Sequence, residues 1–270
     1  MYEEVRNTQL FTYNAGTGTF SVPGSLPEGC PTTFDEISNA LNNDKKRTAF
    51  LHESNSFGLI LPNGDTFDMY MNVDTYYGYQ DGDIGHHIDF ISKGLINSLG
   101  VQQILDTTTV PGSNDEPNPF KNSFLYKKLN TNSDAYVNNL PDVLRSHIVN
   151  KKIMLGQRKY SQNYETSFVY GDIGPLWIPF QYEVYGENEY LSVSEYEKVY
   201  YKRYQVFEDY SFIKKYMNQS DSSDTYWWTS SVPIDRNDAW SGAGPTAPGI
   251  FRIYASRYIK VGVVLAFRFV

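Results

Sequence analysis

The sequence predicts an α+β fold, and three observations carry that prediction. Two bulky, β-prone segments close the chain: Tyr226-Trp227-Trp228-Thr229-Ser230-Ser231, and the apolar run from Val261 to Val270, which reads as a buried strand. Helical spacing of apolar residues occurs near 119–130 and again from Pro141 to about residue 150. Short strand-like runs punctuated by turn residues fill the first seventy positions. Trp177 and the Trp227-Trp228 block then mark core strands flanked by the two helices.

In chain order, Leu10-Phe11-Thr12-Tyr13 and Thr19-Phe20-Ser21-Val22 flank Asn14-Ala15-Gly16-Thr17-Gly18, the pattern of a hairpin. A helix over about 34–43 follows, with Thr33 as cap, Glu36 three residues on, and Phe34, Ile37 and Leu41 on one face. Ala49-Phe50-Leu51 and Phe57-Gly58-Leu59-Ile60-Leu61 read as strands, Pro62-Asn63-Gly64-Asp65 as a turn, and Thr66 to Tyr70 as a continuation. The composition changes near Met69, so residues 1–68 are expected to form a small α/β attachment and 69–270 the main domain. Tyr76 to Asp83 is a polar aromatic loop, and His86-His87-Ile88-Asp89-Phe90-Ile91 leads toward a short helix carrying Leu95, Ile96 and Leu99. Residues 107–119 are a Pro/Asn/Ser-rich loop. Phe120, Phe124, Leu125, Lys128 and Leu129 make the next helix amphipathic, and Pro141 with Asp142 opens another. Gly174 to Pro179 is an apolar segment held between prolines, and no repeat of 20–50 residues is present.

A chain of 270 residues is long enough for a sizeable core. Its 23 Tyr, 16 Phe and 4 Trp admit two readings: a recognition surface, which favours tyrosine, or a β-rich core with aromatic cross-strand pairs. The net charge of −8 disfavours nucleic acid, which calls for a basic patch. Cys30 is the only cysteine, so no intrachain disulfide forms. The start, Met1 to Arg6, lacks the apolar stretch of a signal peptide, and no eighteen-residue apolar run spans a membrane. Cytoplasmic synthesis followed by release within a particle is the expected route.

Catalytic constellations are not visible in the sequence. His86, His87 and Asp89 could be metal ligands, but adjacent histidines project in different directions, and hydrogen-bonded structural histidines explain them as well. Asp81-Gly82-Asp83 resembles a calcium loop without the glutamate that an EF-hand requires. Asp115-Glu116-Pro117-Asn118 contains a sugar-lectin triplet without its Trp-Asn-Asp companion, and reads as a loop before a helix. Ser230 and Ser231 have no Gly-x-Ser-x-Gly elbow and read as turn caps. Between the two closing β segments, Ile234 to Lys260 mixes charge, aromatic residues, Gly and Pro with little sustained period. Two rigid segments bracketing such an insert describe a scaffold that holds a binding surface. Asp235, Arg236, Asn237, Asp238, Trp240, Phe251, Arg252, Tyr254, Arg257, Tyr258 and Lys260 are its candidate ligand contacts, and no cofactor or metal is expected. In Ile250 to Ala255, alternation sets Arg252 and Tyr254 against Phe251, Ile253 and Ala255, which makes Phe251 the least secure of these.

Four blocks carry a family resemblance over about 70–270. They are Asn118-Pro119-Phe120 with Leu125-Tyr126 and Leu129-Asn130; Leu140-Pro141 with Ile148; Leu176-Trp177-Ile178-Pro179 with Glu183-Val184-Tyr185-Gly186; and Tyr226 to Ser231 before Ala266-Phe267-Arg268-Phe269. Together they resemble a domain family common in phages and prophages of gut bacteria, similar in fold to formylglycine-generating enzymes and C-type lectins. Some such proteins are variable proteins of diversity-generating retroelements, such as phage major tropism determinants. The resemblance implies a C-type lectin-like domain with a constant terminal strand at Val263 to Val270 and a displayed stretch at 234–260. It further implies a receptor on a bacterial surface, protein or glycan, a place on a virion or particle surface, and other virion proteins as partners of the N-terminal region. Homo-oligomerisation would add avidity to one small site, although no oligomer motif is readable. Formylglycine-generating enzymes depend on paired cysteines, which one cysteine cannot supply, so the enzymatic branch is disfavoured. A virion component whose aromatic residues only build structure is the competing expectation.

Overall fold

The computed structural model describes residues 2–78, 84–96, 98–99, 120–121, 123–157, 167–186, 202–208, 227–228, 239–243, 250–254 and 262–270. They form an α+β structure whose main element is a curled sheet, a half-barrel. Strands β1 (Gln9–Asn14) and β2 (Thr19–Ser21) are the expected hairpin, with Tyr13 opposite Phe20. Helix α1 (Phe34–Leu41) starts where Thr33 Oγ1 accepts the Glu36 N–H at 3.3 Å, while Glu36 Oε2 accepts the Thr32 N–H at 2.7 Å. The reciprocal cap is thus displaced by one residue from the usual capping box. Helix α1 buries Phe34, Ile37, Ala40 and Leu41.

Helix α2 (Asp44–Phe50) replaces the strand expected at Ala49-Phe50-Leu51. Asn43 Oδ1 caps it through the Lys46 N–H at 3.1 Å, and Arg47 reaches back to the Leu41 carbonyl at 2.7 Å, closing the end of α1. Strands β3 (Ser56–Ile60), β4 (Thr66–Val73) and β5 (Ile88–Ser92) follow. Beyond β5, bends and turns occupy the described residues where a helix with Leu95, Ile96 and Leu99 was expected. Helix α3 (Phe124–Asn130) is capped by Ser123 Oγ, and α4 (Asp142–Arg145) opens directly after Pro141 but stops short of the expected residue 150, because Ile148–Val149 pairs with the terminal strand instead. Strands β6 (Ile148–Val149), β7 (Lys152–Gln157), β8 (Ser167–Asp172) and β9 (Leu176–Trp177), helix α5 (Gln181–Tyr185), strands β10 (Trp227–Trp228), β11 (Ala239–Ala243) and β12 (Ile250–Tyr254), and the terminal β13 (Ala266–Phe269) complete the order.

The main sheet runs β2-β1-β3-β4-β5-β13-β6, and β9 also pairs with β13. Within it β1 and β3 are parallel, whereas the other pairings are antiparallel. The terminal strand is therefore internal to the sheet, paired on both edges. One edge of β13 takes β5, and the other takes β9 against Ala266-Phe267 and β6 against Arg268-Phe269. Strands β7 and β8 form a separate ribbon.

The boundary expected at residue 68 falls inside β4, and the strands on either side of it share this sheet. Their core is shared as well. Phe34 of α1 meets Phe57 at 5.2 Å between ring centroids, Phe57 meets Phe90 at 4.9 Å, and Phe90 meets Phe267 at 5.4 Å. This line of rings crosses from the first helix to the last strand. Polar contacts cross too: His147 Nε2 lies 2.9 Å from Asp35 Oδ1 of α1, while the His147 ring stacks on Phe269 at 4.8 Å. Buried Asp65, in the turn before β4, accepts from the Ser98 N–H at 2.9 Å and the Tyr136 hydroxyl at 2.8 Å.

Candidate ligand-binding surface

Among the described residues, no strand between β9 and β13 pairs into the main sheet. Between these points the chain builds α5 and a second, three-stranded sheet in the order β10-β11-β12. Trp227 and Trp228 pair with Ala243 and Gly242, and five residue pairs join β11 to β12 in antiparallel register. Four predicted contact residues lie in these strands. Trp240 stands opposite Ile253, Arg252 opposite Ser241, Phe251 opposite Gly242 and Tyr254 opposite Ala239. Asp235, Arg236, Asn237, Asp238, Arg257, Tyr258 and Lys260 lie outside the described residues, as do Asp81-Gly82-Asp83, Asp115 to Asn118 and Ser230-Ser231. The stretch is more regular than its composition suggested: Ala239-Trp240-Ser241-Gly242-Ala243 consists mostly of weak strand formers, and pairing to Ile250–Tyr254 makes it a strand.

A buried polar cluster holds the points where this excursion leaves and returns. Arg268 of β13 donates from Nε to Asp89 Oδ1 at 2.7 Å and from Nη2 to Oδ2 at 2.8 Å, across the register pair that joins β13 to β5. Lys151, between β6 and β7, donates to Glu183 of α5 and to the Tyr204 hydroxyl at 2.7 Å, and its Nζ lies 3.9 Å from Asp89 Oδ2. Tyr204 donates to Asp89 Oδ2 at 2.9 Å, and Tyr76 donates to Glu183 Oε1 at 2.6 Å. Glu183 Oε2 accepts the Phe180 N–H at 2.9 Å, fastening the start of α5. Asn72 completes the set: its Nδ2 donates to the Asp89 carbonyl at 3.2 Å and its Oδ1 accepts the Val206 N–H at 3.2 Å. Gly186 ends α5 at φ +63°, where a Cβ would meet the Arg203 side chain at 2.9 Å.

Two carboxylates and two cations balance one another in this cluster, all with essentially no exposure. Burial alone would raise the Asp89 pKa, but the Arg268 guanidinium, the Lys151 ammonium and the Arg268 hydrogen bonds outweigh it and hold the carboxyl well below the usual range. Burial lowers the Lys151 pKa against the opposing pull of Glu183 and Asp89. Tyr76 and Tyr204 are pushed well above an ordinary phenol, first by burial and then by the neighbouring carboxylates. The Lys151 ammonium lies 4.7 Å from the ring centres of both Tyr76 and Trp177 and 5.2 Å from that of Tyr204, so aromatic faces replace part of its lost hydration.

The histidine pair sits at the rim of this cluster in structural roles. His87 Nε2 takes the Tyr76 N–H at 3.3 Å while Nδ1 faces the Gly85 carbonyl at 3.0 Å, contacts that a neutral Nδ1–H ring satisfies, and burial lowers its pKa. His86 Nδ1 faces Asp74 Oδ2 at 2.8 Å and its ring stacks on Tyr77 at 4.4 Å. Among the described residues no group of three His, Cys, Asp or Glu side chains could hold a metal ion.

Sequence reasoning named Asp89 only as a metal-ligand candidate and missed the roles of Lys151, Glu183, Arg268, Tyr76 and Tyr204. One signal was present for two of them. Asp89 in Ile88-Asp89-Phe90-Ile91 and Arg268 in Ala266-Phe267-Arg268-Phe269-Val270 are lone charges inside apolar strands, and opposite lone charges in buried strands call for each other. Searches against family models, curated proteins and solved structures return no match for this chain.

Proposed function

We propose that this chain is a non-enzymatic ligand-binding protein that presents residues 234–260 on a C-type lectin-like scaffold. The observation that carries the reading is the connectivity: the described strands between β9 and β13 form their own three-stranded sheet, and the chain then returns as β13, a strand paired on both edges. Such an arrangement lets surface residues change while β13 and its partners stay fixed. Aromatic and arginine side chains such as Trp240, Tyr254, Tyr258, Arg252 and Arg257 are the types that dominate binding hot spots. In this reading the protein is a tail or particle-surface receptor binder of a phage or prophage, diversified through a retroelement, with a bacterial surface protein or glycan as ligand. The N-terminal strands and helices then face other virion proteins.

The test replaces Trp240, Tyr254 and Tyr258 with alanine together, and measures melting temperature alongside adsorption to bacterial cells. Lost adsorption at an unchanged melting temperature is expected. Unchanged adsorption would remove the stretch from the binding surface. A near-identical template repeat beside a reverse-transcriptase gene would bear separately on diversification.

A further inference from the structure

We propose that Lys151 and Glu183 join in an intramolecular isopeptide bond, formed by the protein on itself between the segment that follows β6 and helix α5. Both side chains are fully buried and in direct hydrogen-bond contact. Each backbone is held by its own bonds: Lys151 pairs with Gly174 and Ile173 at 3.1 and 2.9 Å, and the Glu183 carbonyl accepts the Tyr204 N–H at 2.8 Å. Nucleophile and electrophile are thus fixed before reaction, which removes most of the entropic barrier to joining them.

The surrounding groups suit each step. Transfer of one ammonium proton to the carboxylate leaves an amine and a carboxylic acid, a change that burial favours because it extinguishes two charges in a dry interior. Lys151 Nζ then attacks Glu183 Cδ. Oxyanion donors are in place, since the Tyr76 hydroxyl lies 2.6 Å from Oε1 and the Phe180 N–H lies 2.9 Å from Oε2. As the C–N bond forms, nitrogen passes one proton to Oε1, the Glu183 oxygen it already contacts, while the Tyr204 hydroxyl at 2.7 Å holds the nitrogen in place. The C–O bond breaks and the oxygen leaves as water with two protons. From ammonium and carboxylate to amide and water, atoms and charge balance and no co-reactant is needed. Asp89 is the wrong acyl partner, because Arg268 holds both of its oxygens and keeps it ionised. That same pairing leaves Lys151 and Glu183 free to neutralise each other.

The experiment is an intact-mass measurement on the purified full chain under denaturing conditions, followed by peptide mapping. The expected result is a mass lower than that of the sequence by one water, with a branched peptide joining Lys151 to Glu183. K151R, which keeps the cation but cannot complete this reaction, should show its full sequence mass. A folded wild-type chain with the full sequence mass overturns the proposal, and so does a branch that joins Lys151 to Asp89 instead. The wild-type measurement decides the matter even where K151R fails to fold.

Discussion

Arg268 and Asp89 are 179 residues apart in the chain, yet they meet in a two-bond fork, Nε to Oδ1 at 2.7 Å and Nη2 to Oδ2 at 2.8 Å, directly across the β5–β13 ladder. The fork ties the last strand to β5 and closes the charge balance around Lys151. Truncating one partner leaves the other buried and uncompensated, which costs about 3–5 kcal/mol. R268A and D89A should each lower the urea midpoint by a large fraction of the total stability. The double variant should lose much less than the sum of the two, as a double-mutant cycle will read.

Acid should weaken the same fork in a defined direction. The folded state holds the Asp89 carboxyl below its unfolded value, so the unfolded chain binds the extra proton first. The stabilisation is complete above the ordinary carboxylate range and is lost progressively as pH falls through and below it. Denaturation curves across that range should show wild type losing its advantage over D89N as pH drops. A constant difference between the two would show that Asp89 does not titrate in this way.

Residues 1–68 should not be removable. A chain starting at residue 69 lacks β1–β3 and the first residues of β4, which exposes the β4 edge and strips Phe34 and Phe57 from the ring series leading to Phe90 and Phe267. An unpaired apolar edge invites aggregation. The truncated chain should be insoluble or lack a cooperative melt, whereas the full chain should unfold in one transition by circular dichroism and by tryptophan fluorescence.

The sequence was most legible where structure is local. Thr33 with Glu36, the 14–18 turn and the Pro141 start each depend on neighbours within a few positions, and the expected elements form there. Helix α2 was not legible, because Asp44–Phe50 is too short for a period to emerge and its only apolar run, Ala49-Phe50-Leu51, mimics a strand. The boundary near Met69 reflected a real change in composition, but β4 crosses it because strand pairing answers to distant partners. The Lys151–Glu183–Asp89–Arg268 cluster joins four separate segments, and no single window of sequence contains more than one of its charges. In the stretch 234–260, alternation in Ile250 to Ala255 pointed to a strand, but its pairing with Ala239–Ala243 was not legible, because Trp240 is the one strong strand former there.

Phe267 should be among the costliest positions to truncate. It is fully buried, stands opposite Phe90 in the β5–β13 register, and its ring centre lies 5.4 Å from that of Phe90. Removing a buried phenylalanine side chain typically costs about 3–5 kcal/mol through lost transfer energy and a residual cavity. F267A should therefore melt far below wild type, and F267L, which refills most of the volume, should recover much of the loss. If F267A melted like the parent, β13 would not be an integral strand.

The final prediction separates display from support within a single strand. Successive residues of a strand address opposite sides, so Arg252 and Tyr254 form one set and Phe251 and Ile253 the other. The register places Phe251 opposite Gly242 and Ile253 opposite Trp240, whereas Arg252 and Tyr254 stand opposite Ser241 and Ala239. On the proposed reading, the apolar set, including Phe251, supports the sheet, and the arginine and tyrosine meet the ligand. If that reading holds, replacing Phe251 and Ile253 with serine should lower the melting temperature by several degrees, because a supporting apolar side chain of this size contributes about 1.5–3 kcal/mol. Replacing Arg252 and Tyr254 with alanine should leave the melt unchanged and weaken adsorption to bacterial cells by about tenfold or more, as loss of a hot-spot residue does. The reverse pattern, folding lost with Arg252 and Tyr254 and kept with Phe251 and Ile253, would turn the sheet over and move the ligand contacts to its other side.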